Sequence, residues 1–339
     1  MKLDAALGTE GNYLKQIDRT SRAAEDLGFA GLWTSETKHD GFLPLAIAAN
    51  ETGEMELGTS VAIAFSRSPM ETAQTAWDLQ VLSEGRFLLG LGTQVKAHIT
   101  RRFSMPWDRP AARLREYILA VREIWNSFQN EGAPEFEGEF YRHTLMTPFF
   151  NPGPIEHPEI PVYIAGVNTR LAKLAGEICD GFHVHPFHSP EYVRQTVKPA
   201  IAEGAEEAGR DPEQVVLATS AFVVSAENEE EAREQRESVR SQISFYASTP
   251  TYRTVLEAHG WEEVGERLGT MAREKKWREM PSLVTDEMLA AFAVEAAPDE
   301  LGAVLKERYD GLIDRVSLYL PFVPGERDGF WQTVVGSAR

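Results

Sequence analysis

The sequence predicts an α/β protein of the (β/α)8 TIM barrel class, on three observations. Short apolar runs alternate with helical stretches, and eight such units fit in 339 residues. The run at residues 85–94 is apolar at successive positions, as in a parallel strand buried on both faces. No Gly-x-Gly-x-x-Gly follows the first strand, which favours a closed barrel over a doubly wound sheet.

Residues 3–7 form the first strand, closed by Gly8. A helix over 12–28 sets Leu14, Ile17, Ala24 and Leu27 on one side and stops at Gly28. Residues 29–33 are strand two, followed by a polar run and a helix over 43–52. Residues 55–65 read as one long third strand. Ser68-Pro69-Met70-Glu71 is a helix start, with Ser as N-cap, Pro in first position and Glu in the capping-box position. That helix aligns Met70, Ala73, Trp77 and Val81 and stops at Gly85. After strand four (85–94), residues 95–108 read as irregular and 110–128 as a helix with Leu114, Tyr117, Val121, Trp125 and Phe128 in register. Residues 131–160, rich in Gly, Pro and aromatics, are an ordered excursion. Then come strand 161–166, helix 169–178, strand 181–184, helix 190–208 and strand 215–225. A helical region over 227–309 carries an insertion at about 245–297; residues 315–320 are the last strand and 328–337 the terminal helix. The expectation is one barrel domain over 1–339 with insertions after strands four and seven.

Composition excludes several classes. With 34 basic and 52 acidic residues the net charge is −18, against a nucleic-acid or anionic-membrane surface. The single cysteine, Cys179, allows no intrachain disulfide. No apolar run approaches the ~20 residues of a membrane span, and the start Met1-Lys2-Leu3-Asp4-Ala5 lacks a signal peptide's apolar core. A cytoplasmic enzyme is the expectation.

In a barrel the C-terminal strand ends converge. They gather Glu36, His39 and Asp40; Ser60 to Phe65; Thr93, Gln94 and His98; Gly166 to Arg170; and His183, His185 and His188. Gly166-Val167-Asn168-Thr169-Arg170, a strand end running into a capped helix, offers free N–H groups to an anion, or is an ordinary turn with a surface Arg. His183 and His185 share a strand face and suit either a metal or hydrogen bonds; no convincing third and fourth ligand accompanies them, although Asp40 or Glu36 could contribute, and no metal is expected. His39-Asp40 is a proton-transfer pair or a loop ion pair, and His98 is open in the same way. There is no Gly-x-Ser-x-Gly elbow, Walker loop or His-Glu-x-x-His.

Phe29-Ala30-Gly31-Leu32-Trp33-Thr34-Ser35-Glu36, Glu56-Leu57-Gly58-Thr59-Ser60-Val61, the run Gly85 to Thr93, and Val162-Tyr163-Ile164-Ala165-Gly166 with Asp180-Gly181-Phe182 resemble the bacterial luciferase-like family. The chain is most similar to the branch that uses the deazaflavin coenzyme F(420). The resemblance implies a (β/α)8 barrel with a flavin or deazaflavin ring at its C-terminal mouth, and Glu36 facing that ring. It implies a non-prolyl cis peptide at Ser60–Val61 behind the ring, and Thr93, Gln94 and His98 at its edge. It also implies a phosphate on Gly166, Val167, Asn168, Arg170 and Leu171. Barrels of this family commonly pair, so a homodimer or higher homo-oligomer is expected. Two departures stand out. Sugar-phosphate dehydrogenases of the family carry a Glu just after the strand-four glycines, where this chain has Val95, and their paired His after strand two is reduced to His39. His39, His98 and His185 are therefore the acid/base residues expected here.

The leading expectation is hydride transfer between a deazaflavin and a small organic substrate. The alternative is an FMN-dependent monooxygenase using reduced flavin and oxygen. Less favoured are a metal-dependent barrel hydrolase on His183, His185 and Asp40, and a non-catalytic flavin-binding partner subunit.

Overall fold

The computed structural model describes residues 1–8, 10 and 13–338. Strands β1 (Lys2–Ala6), β2 (Gly31–Thr34), β3 (Glu56–Thr59), β4 (Phe87–Gly92), β5 (Val162–Gly166), β6 (Gly181–Val184), β7 (Val216–Val224) and β8 (Arg315–Leu318) pair in that order, all parallel. β8 returns to β1, with Lys2 opposite Arg315, so the sheet closes into the expected (β/α)8 barrel. All six residues of β4 are buried, as a strand covered on both faces requires.

The helix ends follow their signals. Gly28 ends the first helix (Ile17–Leu27) in the left-handed region at φ 92°. Ser68 caps the helix Pro69–Leu82 by accepting from Glu71 N. Thr169–Ile178 and Asp328–Ser337 span the residues expected of them.

Four readings need correction or refinement. The long third strand is two pieces: β3 ends at Thr59, the Ser60–Val61 peptide is cis, and pairing resumes at Ala62–Ile63. Residues 95–108 are not wholly irregular, because Lys96–Arg101 is a short helix anchored by buried Ile99. The stretch 190–208 is helical without a break to Glu207, as expected, but winds as a π-helix at Val193–Val197. Val81 is 53% exposed: Ala73 and Trp77 of the expected stripe are buried, but the buried face continues through Thr72, Ala76 and Leu79 and leaves Val81 outside it. The start of the first helix read at residue 12 lies outside the described residues.

Between β4 and β5 the chain forms the helix Pro110–Gln129 and a small antiparallel ladder, Phe136–Glu137 with Arg142–His143. Glu116 on that helix accepts from the N–H groups of Glu139, Phe140 and Tyr141, and Trp77 Nε1 donates to Gly153 O. These bonds hold the excursion on the barrel wall. Between β7 and β8 lie several helices and Ala293–Glu295, which adds to the edge of β7. Among the described residues, no helix is long and apolar enough to cross a membrane.

The N-terminal half of the barrel is polar. Arg315 Nε and Nη2 grip the two carboxylate oxygens of buried Asp4 at 2.8 and 2.9 Å, Nη1 reaches Glu56 at 2.6 Å, and Trp33 Nε1 donates to Asp4 at 2.7 Å. A buried pair satisfied this fully is costly to break. It forms a rigid floor under the mouth.

Candidate active site

The mouth is organised by the break in β3. Gly58 faces Leu88 and Ala62 faces Leu91, so three residues, Thr59 to Val61, stand opposite two on β4. This is a bulge. Thr59 Oγ1 fills the gap in the ladder, donating to Gly90 O at 2.7 Å and accepting from Gly90 N at 2.9 Å. On the other side Ser60 N donates to Thr34 O at 2.5 Å. A Cβ on Gly90 would lie 1.8 Å from Thr59 O, and one on Gly92 2.6 Å from Val61 Cγ2. The glycines of β4 therefore make room for the bulge of the neighbouring strand.

Glu36, just past β2, is buried, and its carboxylate is fully used. It accepts from Ile63 N at 2.6 Å and from Arg67 Nη1 and Nη2 at 2.7 and 2.8 Å. Arg67 was not foreseen; it follows the short 3-10 turn Ala64–Ser66, with no local sequence signal. Asp40 does not act as a partner for His39. Its Oδ1 accepts from Phe42 N and Leu43 N at the head of the helix Leu43–Glu51, and its Oδ2 lies 3.4 Å from Arg67 Nη2. His39 is exposed, with its ring 5.0 Å from that of Tyr13.

At the end of β5, Asn168 Oδ1 accepts from Leu171 N at 3.1 Å and caps Thr169–Ile178. The first helical N–H groups, those of Thr169 and Arg170, have no intrahelical acceptor and face outward with the positive end of the dipole. Leu171 packs against Gly166, where a Cβ would come within 2.6 Å of it, and the Tyr192 hydroxyl donates to Val167 O. Arg170 is exposed. The turn is thus a backbone-lined cradle held from below.

The three histidines around the end of β6 do not converge. His183 points into the barrel, 4.8 Å from the Trp33 ring, with Nδ1 3.4 Å from Ser60 Oγ and Nε2 buried without a partner. His185 Nδ1 accepts from Phe187 N at 3.0 Å, so the proton sits on Nε2 and is donated to the Tyr252 hydroxyl at 3.1 Å. His188 lies among the carbonyls of His185 and Pro186 and the Tyr309 hydroxyl. Burial pushes His183 and His185 down to about 3 and His188 to about 4, so all three are neutral near pH 7. Among the described residues no group of three or more His, Cys, Asp or Glu is assembled as a metal site. Tyr252, unforeseen, comes from the long region after β7, and burial raises its hydroxyl to about 12.

After β4, Gln94 adopts φ 57° and turns its Oε1 to Val95 N at 2.9 Å, while Thr93 Oγ1 donates to Gln94 O. Both are half-buried; His98 on the short helix is exposed.

A family model described as luciferase-like monooxygenase matches residues 1–315. The chain belongs to this family. An uncharacterized protein of Mycobacterium tuberculosis is 42% identical over 316 residues, covering 93% of this chain and 92% of its own. A 5,10-methylenetetrahydromethanopterin reductase of Methanolobus tindarius is 26% identical over 317 residues, 92% of each chain. Among solved structures, the coenzyme F(420)-dependent tetrahydromethanopterin reductase of Methanopyrus kandleri superposes with a TM-score of 0.78 at 23% identity, covering 99% of this chain and 97% of its own. Membership makes this luciferase-like chain an oxidoreductase. At its mouth the capped turn after β5 leaves the first helical N–H groups without helical partners, an arrangement compatible with an anionic group.

Proposed function

We propose that this chain is a deazaflavin-dependent oxidoreductase acting on a small organic substrate. The observation that carries the reading is the match, over nine-tenths of both chains, to a methylenetetrahydromethanopterin reductase. In this reading the turn Gly166, Val167, Asn168, Arg170 and Leu171 takes the coenzyme's phosphate, and Glu36, Ser60, Val61, Thr93, Gln94 and His98 surround its ring. When bound, the coenzyme supplies the hydride chemistry.

The protein's own work is to bind, orient and move one proton. Thr169 and Arg170 N–H groups hold the phosphate, and the Arg170 guanidinium adds charge. Arg67 keeps the Glu36 carboxylate fixed, with both oxygens engaged, so Glu36 shapes the mouth and leaves proton transfer to others. His39, on the loop after β2, and His98, on the short helix after β4, are exposed imidazoles and serve as acid/base groups. His185, with both ring nitrogens engaged, acts through Tyr252 by setting the direction of its hydroxyl.

The family's monooxygenase description favours a second reading, with FMN and oxygen in the same mouth. One measurement separates the two. Titrating the purified protein with F(420) and with FMN, followed by fluorescence, is expected to show tight deazaflavin binding and little FMN binding. The reverse result overturns the first reading and supports the second.

A further inference from the structure

We propose that the rim segment formed by Lys96, Arg101 and Arg102 is an anion-recognising collar over the mouth, and that the small organic substrate carries a carboxylate, sulfonate or phosphate. The inference rests on the reading of this mouth as the active site and specifies the substrate class that site accepts.

The charge of the chain is unevenly distributed. Acidic residues outnumber basic ones 52 to 34, yet no Asp or Glu occurs between Glu84 and Asp108, the longest acid-free run in the sequence. That run contains the upper part of β4 and the whole rim segment behind it. At the opposite end of the barrel, Glu54, Glu84, Glu159, Asp180, Glu213 and Asp310 stand just ahead of β3 to β8, one before each strand. In a chain of net charge −18, the rim is thus a locally basic stretch at one edge of the mouth. Such an arrangement repels anions generally and focuses them on one entrance.

No carboxylate neutralises the rim cations among the described residues. Lys96, Arg101 and Arg102 are all exposed, and among the described residues none has a carboxylate within ion-pair distance. The nearby carboxylates already have cations: Glu10 bonds Lys38 at 2.7 Å, and Glu36 and Asp40 both meet Arg67. The segment also has a fixed position. Ile99 is fully buried beneath it, and the Arg102 guanidinium donates to Thr37 O on the loop after β2 while lying 4.8 Å from the Phe103 ring. The segment thus starts at the end of β4 and is bonded to the loop after β2; β3, with the Ser60–Val61 bulge at its end, lies between those two strands in the sheet. A guanidinium and an ammonium held there meet an entering anion before it reaches the bulge.

The test uses two dyes of similar shape, anionic anilinonaphthalenesulfonate and neutral phenylnaphthylamine, titrated by fluorescence into the full chain. The collar variant is Lys96→Glu/Arg101→Glu, two exposed side chains whose loss removes no internal bond; the control is Arg273→Glu/Arg278→Glu, exposed cations far along the chain. Expected is a rise of about tenfold or more in the Kd of the anionic dye for the collar variant alone, with the neutral dye unchanged. The difference should shrink from about 20 mM to about 500 mM NaCl as the charges are screened. Equal anionic-dye affinity in wild type and collar variant overturns the proposal, as does an equal loss of both dyes. F(420) titration of the same variants adds a second arm. Weakened coenzyme binding together with loss of the dye difference in coenzyme-loaded protein assigns the collar to the coenzyme and overturns the substrate assignment. If wild type binds neither F(420) nor FMN while the anionic dye still discriminates, the functional reading fails and the collar stands.

Discussion

Glu36 and Arg67 meet edge to edge beneath the barrel mouth, with Nη1 2.7 Å from Oε2 and Nη2 2.8 Å from Oε1. The side chains are 7% and 12% exposed, so neither charge has water to fall back on. The pair ties the loop after β2 to the segment after β3, which are the two walls flanking the bulge.

Arg67→Met should leave the Glu36 carboxylate buried with only Ile63 N as donor. Breaking one side of a buried pair costs about 3–5 kcal/mol, whereas replacing both sides can be near neutral. Urea unfolding is expected to show that loss for Arg67→Met and recovery of much of it in Arg67→Met/Glu36→Gln. Equal stability of the single variant and the wild type would show that the pair carries no such weight.

Acid should destabilise the fold through the histidines after β6. His183, His185 and His188 are depressed by burial from 6.5 to about 3, 3 and 4. Below pH 6.5 the unfolded chain binds a proton at each site and the folded chain does not. Their contribution is therefore complete above about pH 6.5 and is lost as pH falls toward about 4 for His188 and about 3 for His183 and His185, at up to about 1.4 kcal/mol per unit for each histidine. Urea midpoints should fall between pH 7 and 5, and His188→Gln should lower the steepness by about one proton. A flat profile would contradict burial of these rings in their neutral form.

Two glycine substitutions should move stability in opposite directions. Gly90→Ala sets a Cβ 1.8 Å from Thr59 O, a backbone atom clamped in the bulge, and 3.1 Å from His183 Nε2. Neither neighbour can yield, and a loss of about 3 kcal/mol or failure to fold is expected. Gly336→Ala, inside Asp328–Ser337 with nothing within 4 Å, should gain about 0.5–1 kcal/mol. Thermal unfolding of the two variants checks both signs.

The contrast between those glycines also shows what was legible beforehand. Elements bounded by side-chain signals were read almost to the residue: Ser68 with Pro69, Asn168, and Gly28 each end or begin a helix by a bond or a backbone angle that their own type favours. The break in β3 carries no such signal, because Thr59 to Ile63 are small or β-branched on both sides of it, and only the family resemblance pointed to the Ser60–Val61 bond. The role of Asp40 was available in the sequence, as an acid shortly before a helix with Pro44 near its head, but its neighbour His39 suggested a different pairing. Arg67 and Tyr252 were out of reach, since each meets its partner across more than 30 residues, through geometry that only the closed barrel creates.

Asn168→Asp separates fold from binding at the turn after β5. An aspartate keeps the oxygen that accepts from Leu171 N and is as good an N-cap as asparagine, with a charge that suits the helix dipole. The melting temperature should therefore hold or rise slightly, while Asn168→Ala should cost about 1 kcal/mol. The added carboxylate stands beside the Thr169 and Arg170 N–H groups, competes for them and repels an incoming phosphate. Binding of a phosphate-bearing coenzyme should weaken by about tenfold or more, and most at low salt. Undiminished coenzyme affinity in a stable Asn168→Asp protein would remove this turn from the phosphate site. Weakened affinity in the same protein could not be ascribed to a damaged helix, because the cap that holds the helix would still be there.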